Sequence, residues 1–300
     1  VTKIAIVALD SPDYLVDLVA DGMIRLLGRE SVHLTYKLMP PVSCRYTHLM
    51  KGFFDKPNAF NIHEADALVL STRSRNWPWR EWVKKTGNKN VIFLDPEDGS
   101  PLYQELAAEV KVYFKREYLK DGIYAHGNCP YSSLKGNIKP LPFAAIPEEP
   151  SDRLPEKYPL FYLGHYFDHP QRKIAVKVLK EFKFEPIHTI WPKEQYNEAL
   201  RSSRIGVSVR GWGWDTYRYW EIPYFGAMLL SERLGITIPG DFVEDEEAVF
   251  YSDESELRKK LDTLLGDQAK VQRIAARGRK ACLERHLSIH RAKRVLEEVA

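Results

Sequence analysis

The sequence predicts an α/β fold of two doubly wound, Rossmann-like domains facing across a cleft, one over 1–150 and one over 151–300. Three observations carry this. Short apolar runs alternate with helical spacing in both halves, the pattern of parallel sheets covered on both faces. Between the halves, residues 120–157 lose periodicity and crowd with Gly122, Gly127, Pro130, Gly136, Pro140, Pro142, Pro147, Pro150 and Pro155, as an interdomain crossing does. A length of 300 residues at 44% hydrophobic content suffices for two cores of ordinary size.

In the first half, Lys3 to Leu9 is an apolar run too short for a helix. Ser11-Pro12-Asp13 breaks it and starts a helix, whose Leu15, Leu18, Val19, Met23 and Leu26 recur at helical spacing until Gly28. Val32 to Lys37, Ala67 to Ser71, Val91 to Leu94 and Val110 to Lys115 read as further strands. The second half restarts with strands at Leu160 to Leu163, Glu185 to Ile190, Ile205 to Val209, Ala227 to Leu230 and Val249 to Tyr251. Helices are expected at Gln171 to Glu181, Tyr196 to Ser202, Tyr217 to Phe225, Glu254 to Leu265 and Lys270 to His286, with a last segment from Ile289 to Val299.

The net charge of +3 suits an anionic ligand without requiring a nucleic acid. Cys44, Cys129 and Cys282 stand far apart with no CxxC spacing, so neither a disulfide framework nor a zinc site is expected. A reducing, cytoplasmic compartment is the simplest reading. No window approaches the length of apolar chain that spans a bilayer, and Val1 to Asp10 lacks the organisation of a signal peptide, so no membrane span is expected.

Ligands of open α/β sheets sit beyond the carboxyl ends of the strands. The most informative loop there opens the stretch Arg210 to Glu232, RGWGWDTYRYWEIPYFGAMLLSE. A strand ends in a glycine-punctuated aromatic loop, and a short helix follows with Arg218 and Glu221 on one face. Gly226 can cap its end. The first turn, around Asp215, Thr216 and Tyr217, offers backbone N–H groups and a positive dipole end to a diphosphate. Arg210 or Arg218 can pair bidentately with phosphate oxygens, and Glu221 can accept both hydroxyls of a ribose. Trp212, Trp214 and Tyr217 can stack on a base or sugar face. A surface ion pair between Arg218 and Glu221, worth about 0.2–0.5 kcal/mol, is the plain alternative.

The run Arg218-Tyr-Trp-Glu221-Ile-Pro-Tyr-Phe-Gly226-Ala-Met-Leu-Leu-Ser-Glu232 resembles the signature of the glycosyltransferase group 1 and spore-maturation-protein-like families of GT-B-type glycosyltransferases. Phe242, Glu246 to Tyr251, Asp253-Glu254 and Glu256-Leu257 follow in that family's order. Ile274-Ala275, Arg277-Gly278-Arg279, His286 and His290-Arg291 resemble its closing helices, and Tyr113 to Glu117 and Pro140 to Phe143 its domain crossing. The resemblance spans roughly 105–295. It implies a metal-independent transferase on the GT-B fold, with no cofactor beyond a nucleotide-sugar co-substrate. The second half would hold the donor, with Glu221 on its ribose, and the first half the acceptor. The sequence departs from the retaining pattern of two acidic residues eight positions apart, because Gly213 stands eight before Glu221. Asp215 is the nearest acid, and the stereochemical outcome stays open. Tyr224-Phe225 replaces the small residue usual before the glycine.

Other candidates follow the same rule. Gly164-His165 and the downstream Arg172 would approach donor phosphates, or form only a turn and a solvated helix start. Asp10, after the first strand, is a candidate general base on an acceptor hydroxyl. His126, in the crossing, is the second candidate catalytic group, against the bland reading of a loop histidine on a backbone hydrogen bond. Asp95-Pro96-Glu97-Asp98 looks like a metal-binding acidic motif, but Pro96 and Gly99 suggest a turn, and no metal is expected. Arg73, Arg75, Trp77, Trp79, Arg80 and Trp82 would contact an acceptor or form an amphipathic helix with arginine stems laid along it. The leading expectation is a glycosyltransferase acting on a glycan or other hydroxyl acceptor, nucleic acid included. The alternatives are a non-catalytic nucleotide- or glycan-binding module of the same build, and a nucleotide-sugar epimerase.

Overall fold

The computed structural model describes residues 2–8, 14–35, 57–72, 78–99, 102–120, 136–164, 169–182, 184 and 191–299. The chain divides into two compact units, 1–146 with 236–239 and 287–300, and 147–235 with 240–286.

The first unit is built on β1 (Ile4–Ala8), β2 (Val32–Leu34), β3 (Ala67–Ser71), β4 (Val91–Asp95), β5 (Val112–Lys115) and β6 (Ile138–Pro140). All pair in parallel, in the order β2-β1-β3-β4-β5-β6. Every residue of β1, β3 and β4 is buried, as uninterrupted apolar runs between two helical layers require. The order reverses between β1 and β3, where such sheets take ligands. The loops after these strands, with Asp10, Asp13, Arg73, Arg75 and Trp77, lie outside the described residues, as does His126.

Helices α1 (Tyr14–Leu27), α2 (Trp79–Thr86) and α3 (Gln104–Glu109) accompany this sheet. At the carboxyl ends of β4 and β5, Lys115 Nζ lies 3.1 Å from Asp95, both with fully buried side chains. Tyr113 donates its hydroxyl to the same carboxylate, and Arg116 pairs with Asp98.

The second unit carries β7 (Tyr158–Phe161), α4 (Pro170–Glu181), α5 (Lys193–Arg201), β8 (Ser203–Ser208), α6 (Tyr217–Tyr224), β9 (Met228–Glu232), β10 (Val249–Tyr251), α7 (Glu254–Gly266) and α8 (Gln268–Arg285). Its described strands form a parallel sheet in the order β10-β9-β8-β7. The strand expected at 185–190 lies outside the described residues. Leu160, Ile205, Val207, Met228, Leu230 and Val249 from the sheet meet Leu179, Leu257, Leu261 and Ile274 in one core. Each such side chain contributes about 1.5–3 kcal/mol on burial.

Helix α6 lies close against β8 because Gly206 has no side chain: a Cβ there would stand 2.7 Å from Ile222. Trp220 anchors the helix, fully buried among Tyr219, Phe242 and His286. Helix α9 (Ser288–Leu296) returns to the first unit. Ser288 donates to Asp21 at 2.6 Å, and Arg291 donates to the carbonyls of Pro142 and Phe143. Gly22 lets the two helices touch, since a Cβ there would overlap the Ser288 carbonyl at 2.3 Å.

Candidate functional site

The strands of the second unit are parallel, so their carboxyl ends share one edge. Tyr162 stands just past β7, Arg210 just past β8, and Glu232 and Tyr251 end β9 and β10. Two helices start at that edge, α4 after His169 and α6 after Thr216. Neither has a side-chain cap or an acidic residue in its first turn, which leaves backbone N–H groups and the positive dipole end for an anion.

Arg218 projects from the first turn of α6 with its guanidinium 5.9 Å from the centre of the Tyr162 ring. Its buried Nε and the buried Tyr162 hydroxyl find no hydrogen-bond partner among the described residues. Gly164 closes over both: a Cβ there would stand 2.9 Å from the Tyr162 hydroxyl and 3.7 Å from Arg218 Cζ. Arg172, in the first turn of α4, donates from Nε to the Arg210 carbonyl at 3.0 Å. Burial, and then the Arg218 charge, hold the Arg172 guanidinium below its ordinary value. Arg210 stacks over Trp214 at 3.9 Å, and its Nε lies 3.1 Å from Glu232, an ion-pair contact without hydrogen-bond alignment. Burial raises the Glu232 carboxyl, and Arg210 opposes that rise.

His169 lies edge-on to Trp212 at 5.4 Å, and burial followed by the charges of Arg172 and Arg210 lowers its pKa. Tyr251, another buried hydroxyl without a partner among the described residues, is raised well above its ordinary value by burial, then by Glu232 and Tyr162. Arg172 thus links Arg210, which is paired with Glu232, to Arg218, and several unsatisfied polar atoms lie among them. Buried polar groups without partners are costly and persist where a ligand completes them.

Gly164, Arg172, Arg210 and Arg218 therefore lie in one cluster, with Trp214 beneath Arg210. Tyr217 is half-buried on the first turn, and Trp212 is 80% exposed. Asp215 and Thr216 engage the protein. The Asp215 carboxylate accepts from the Trp220 indole at 2.9 Å, and the Thr216 hydroxyl lies 3.1 Å from that of Ser208. Both fasten the start of α6. His165 lies outside the described residues.

Glu221 is engaged by α5. It is 3% exposed, and it accepts from Lys193 Nζ at 2.9 Å and from the Tyr196 hydroxyl at 2.8 Å, both on α5. The surface pair with Arg218 does not form. Sequence reasoning missed Lys193 and Tyr196, and also Tyr162, His169 and Tyr251. Tyr162 and Tyr251 carried a usable signal, since each stands where a parallel strand runs out.

In the first unit, Asp95 and Asp98 are paired with Lys115 and Arg116. On α2, Arg80 is held by Glu105 and Glu109 and lies 4.8 Å from the Trp79 ring centre, so its charge is engaged within the unit. No described helix is long and apolar enough to cross a membrane.

Residues 172–297 match the model of a family described as glycosyl transferase-like. No curated protein matches the chain. Solved structures match it along its length. HepE of Anabaena, in complex with UDP, aligns with a TM-score of 0.67 at 9% identity over 99% of each chain. An α-glucosyltransferase, in complex with UDP and a 13-mer DNA containing an HMU base, aligns with a TM-score of 0.64 at 9% identity over 100% of each. Sucrose-phosphate synthase from Thermosynechococcus elongatus aligns with a TM-score of 0.59 at 10% identity, over 99% of this chain and 98% of that one. At such identities the likeness is one of fold. The chain has the GT-B fold of two Rossmann-like domains, and its residues 172–297 are similar to a glycosyl transferase-like family.

Proposed function

We propose that the protein is a glycosyltransferase that moves a sugar from a nucleoside-diphosphate donor to an acceptor hydroxyl. The observation that carries this is the buried Arg218 Nε beside the buried Tyr162 hydroxyl, both without hydrogen-bond partners among the described residues, in a cluster with Arg172 and Arg210. A diphosphate supplies the missing acceptors and the missing negative charge. HepE has been solved with UDP-glucose as well as with UDP, which supports a nucleotide-sugar donor here.

In this reading Arg172, Arg218 and the N–H groups that open α4 and α6 hold the diphosphate. They stabilise the charge that develops on it as the glycosidic bond to phosphate breaks. Glu221 receives the ribose hydroxyls by exchanging its contacts with Lys193 and Tyr196, which hold its carboxylate in the empty fold. The acceptor belongs to the first half, with Asp10 and His126 as the candidates for taking its proton. The pairing of Asp95 with Lys115 and of Asp98 with Arg116 favours chemistry without a metal. A cytoplasmic location accords with the three scattered cysteines.

A second reading, a module that binds a nucleotide or glycan without turnover, draws on one observation. Gly213 replaces the second acid, and Asp215 is engaged with Trp220. A panel of nucleotide-sugars, scored for release of nucleoside diphosphate with and without candidate acceptors, tests both. Acceptor-dependent release is the expected outcome. Tight binding with no release would favour the module, and interconversion of the sugar an epimerase.

A further inference from the structure

A second basic pocket opens at the amino-terminal ends of the same strands, opposite the donor edge. It is a cavity of about 430 Å³ whose lining includes Arg153, Glu156, Arg204 and Arg279 together with Leu154, Val271 and Ala275. Arg153 precedes β7, Arg204 lies at the start of β8, and Gly226 leads into β9. Arg153 and Arg279 meet over Gly226. A Cβ there would stand 2.7 Å from Arg153 Cδ and 3.4 Å from Arg279 Cδ, and the glycine's φ of 79° independently disfavours a side chain.

The charges in this pocket do not balance. Arg204 pairs with Glu156 at 2.9 Å. Arg279 donates to the Ser151 carbonyl at 3.1 Å, with Asp152 only at 4.0 Å and its side chain 94% exposed. Arg153 donates to the Leu200 carbonyl at 3.0 Å and makes no ion pair among the described residues. Its guanidinium is held below the ordinary value, mainly by burial, with Glu156 opposing and the Arg279 charge adding to the drop. Two guanidinium-bearing side chains thus meet over Gly226 and line a partly apolar cavity. Planar forks of this kind match a phosphate better than any neutral group, and the volume is that of a small-molecule site.

We propose that this pocket binds a phosphorylated small metabolite, with its phosphate between Arg153 and Arg279 and its body against Leu154, Val271 and Ala275. The site is separate from the donor edge and does not depend on the donor assignment.

Titration calorimetry with glucose 6-phosphate as the probe tests it on three proteins: the wild type, the Arg153→Gln/Arg279→Gln double variant, and Arg218→Ala. Saturable binding is expected in the wild type and in Arg218→Ala. It should weaken at least about tenfold in the double variant. Inorganic phosphate should compete, and glucose should not bind. Should the double variant fail to fold, Arg153→Lys, which keeps the charge but removes the fork, should weaken binding several-fold at unchanged melting temperature. Equal binding in the wild type and the Arg153 variants would overturn the proposal. So would loss of binding in Arg218→Ala, or no saturable binding in the wild type.

Discussion

Glu221 sets its Oε1 2.9 Å from Lys193 Nζ and leaves Arg218, one turn earlier on the same helix, to face Tyr162. Lys193 also lies 3.0 Å from Glu148, so one largely buried ammonium serves two largely buried carboxylates. Tyr196 and Asn197 add hydrogen bonds to the pair at 2.8 Å each. The consequence falls on Arg218, its neighbour on the same face of α6. Because the helix's glutamate is neutralised from α5, its arginine is not neutralised by the glutamate. A partly buried guanidinium without a carboxylate among the described residues is a cost to the empty fold, and it becomes a gain when an anion arrives.

The same arrangement makes Lys193 a structural hinge of the site. Lys193→Met removes the cation and leaves Glu148 and Glu221 buried together. Breaking a buried pair in this way costs about 3–5 kcal/mol. Urea denaturation should show that loss as a lower midpoint at unchanged slope. A variant as stable as the wild type would mean that the triad is not coupled as the distances indicate.

Gly164 tests the phosphate seat from the side of shape. Its backbone is not in the left-handed region, so alanine strains nothing there, but the new methyl stands 2.9 Å from the Tyr162 hydroxyl and close to Arg218. Gly164→Ala should leave the melting temperature within a few degrees while weakening UDP-glucose binding about tenfold, or about 1.4 kcal/mol. Unchanged affinity would move the diphosphate away from this loop.

His169 should link donor binding to protons. Burial, and then Arg172 and Arg210, place its folded pKa below the ordinary 6.5. In the free protein the unfolded chain takes up the proton first as pH falls through that value, so stability declines on the acid side. A bound pyrophosphate offsets the two arginine charges and raises the His169 pKa. Binding of UDP-glucose should then take up protons and tighten as pH falls from about 7.5 toward 6. Calorimetry at pH 6.5 in two buffers of different ionisation heat should show uptake in the wild type and none in His169→Ala. Identical heats in both buffers would count against contact between His169 and the diphosphate.

Much of this architecture is legible in the residues. The runs at 67–71 and 249–251 coincide with strands, and the helix bearing Arg218 follows its aromatic loop as its spacing implies. Segments α3 and β6 are too short for periodicity to register, and Pro140 in β6 argues against a strand by composition. The partners of Glu221 come from another helix, and no local spacing reveals them. The spacing of Arg218 and Glu221 suggested a pair with each other, and tertiary contacts chose Lys193 instead. Nor does anything in 287–300 mark its return to the first unit. That return depends on the absence of a side chain at Gly22 and on the backbone carbonyls of Pro142 and Phe143.

The central claim is that Arg218 waits for a diphosphate. Titrating UDP and uridine against the wild type and Arg218→Ala separates phosphate contacts from base and ribose contacts. A charged hydrogen-bond partner is worth about 1.5–3 kcal/mol, so UDP should bind the variant at least about tenfold more weakly while uridine binds both alike. Equal UDP affinity in the two proteins would contradict the account.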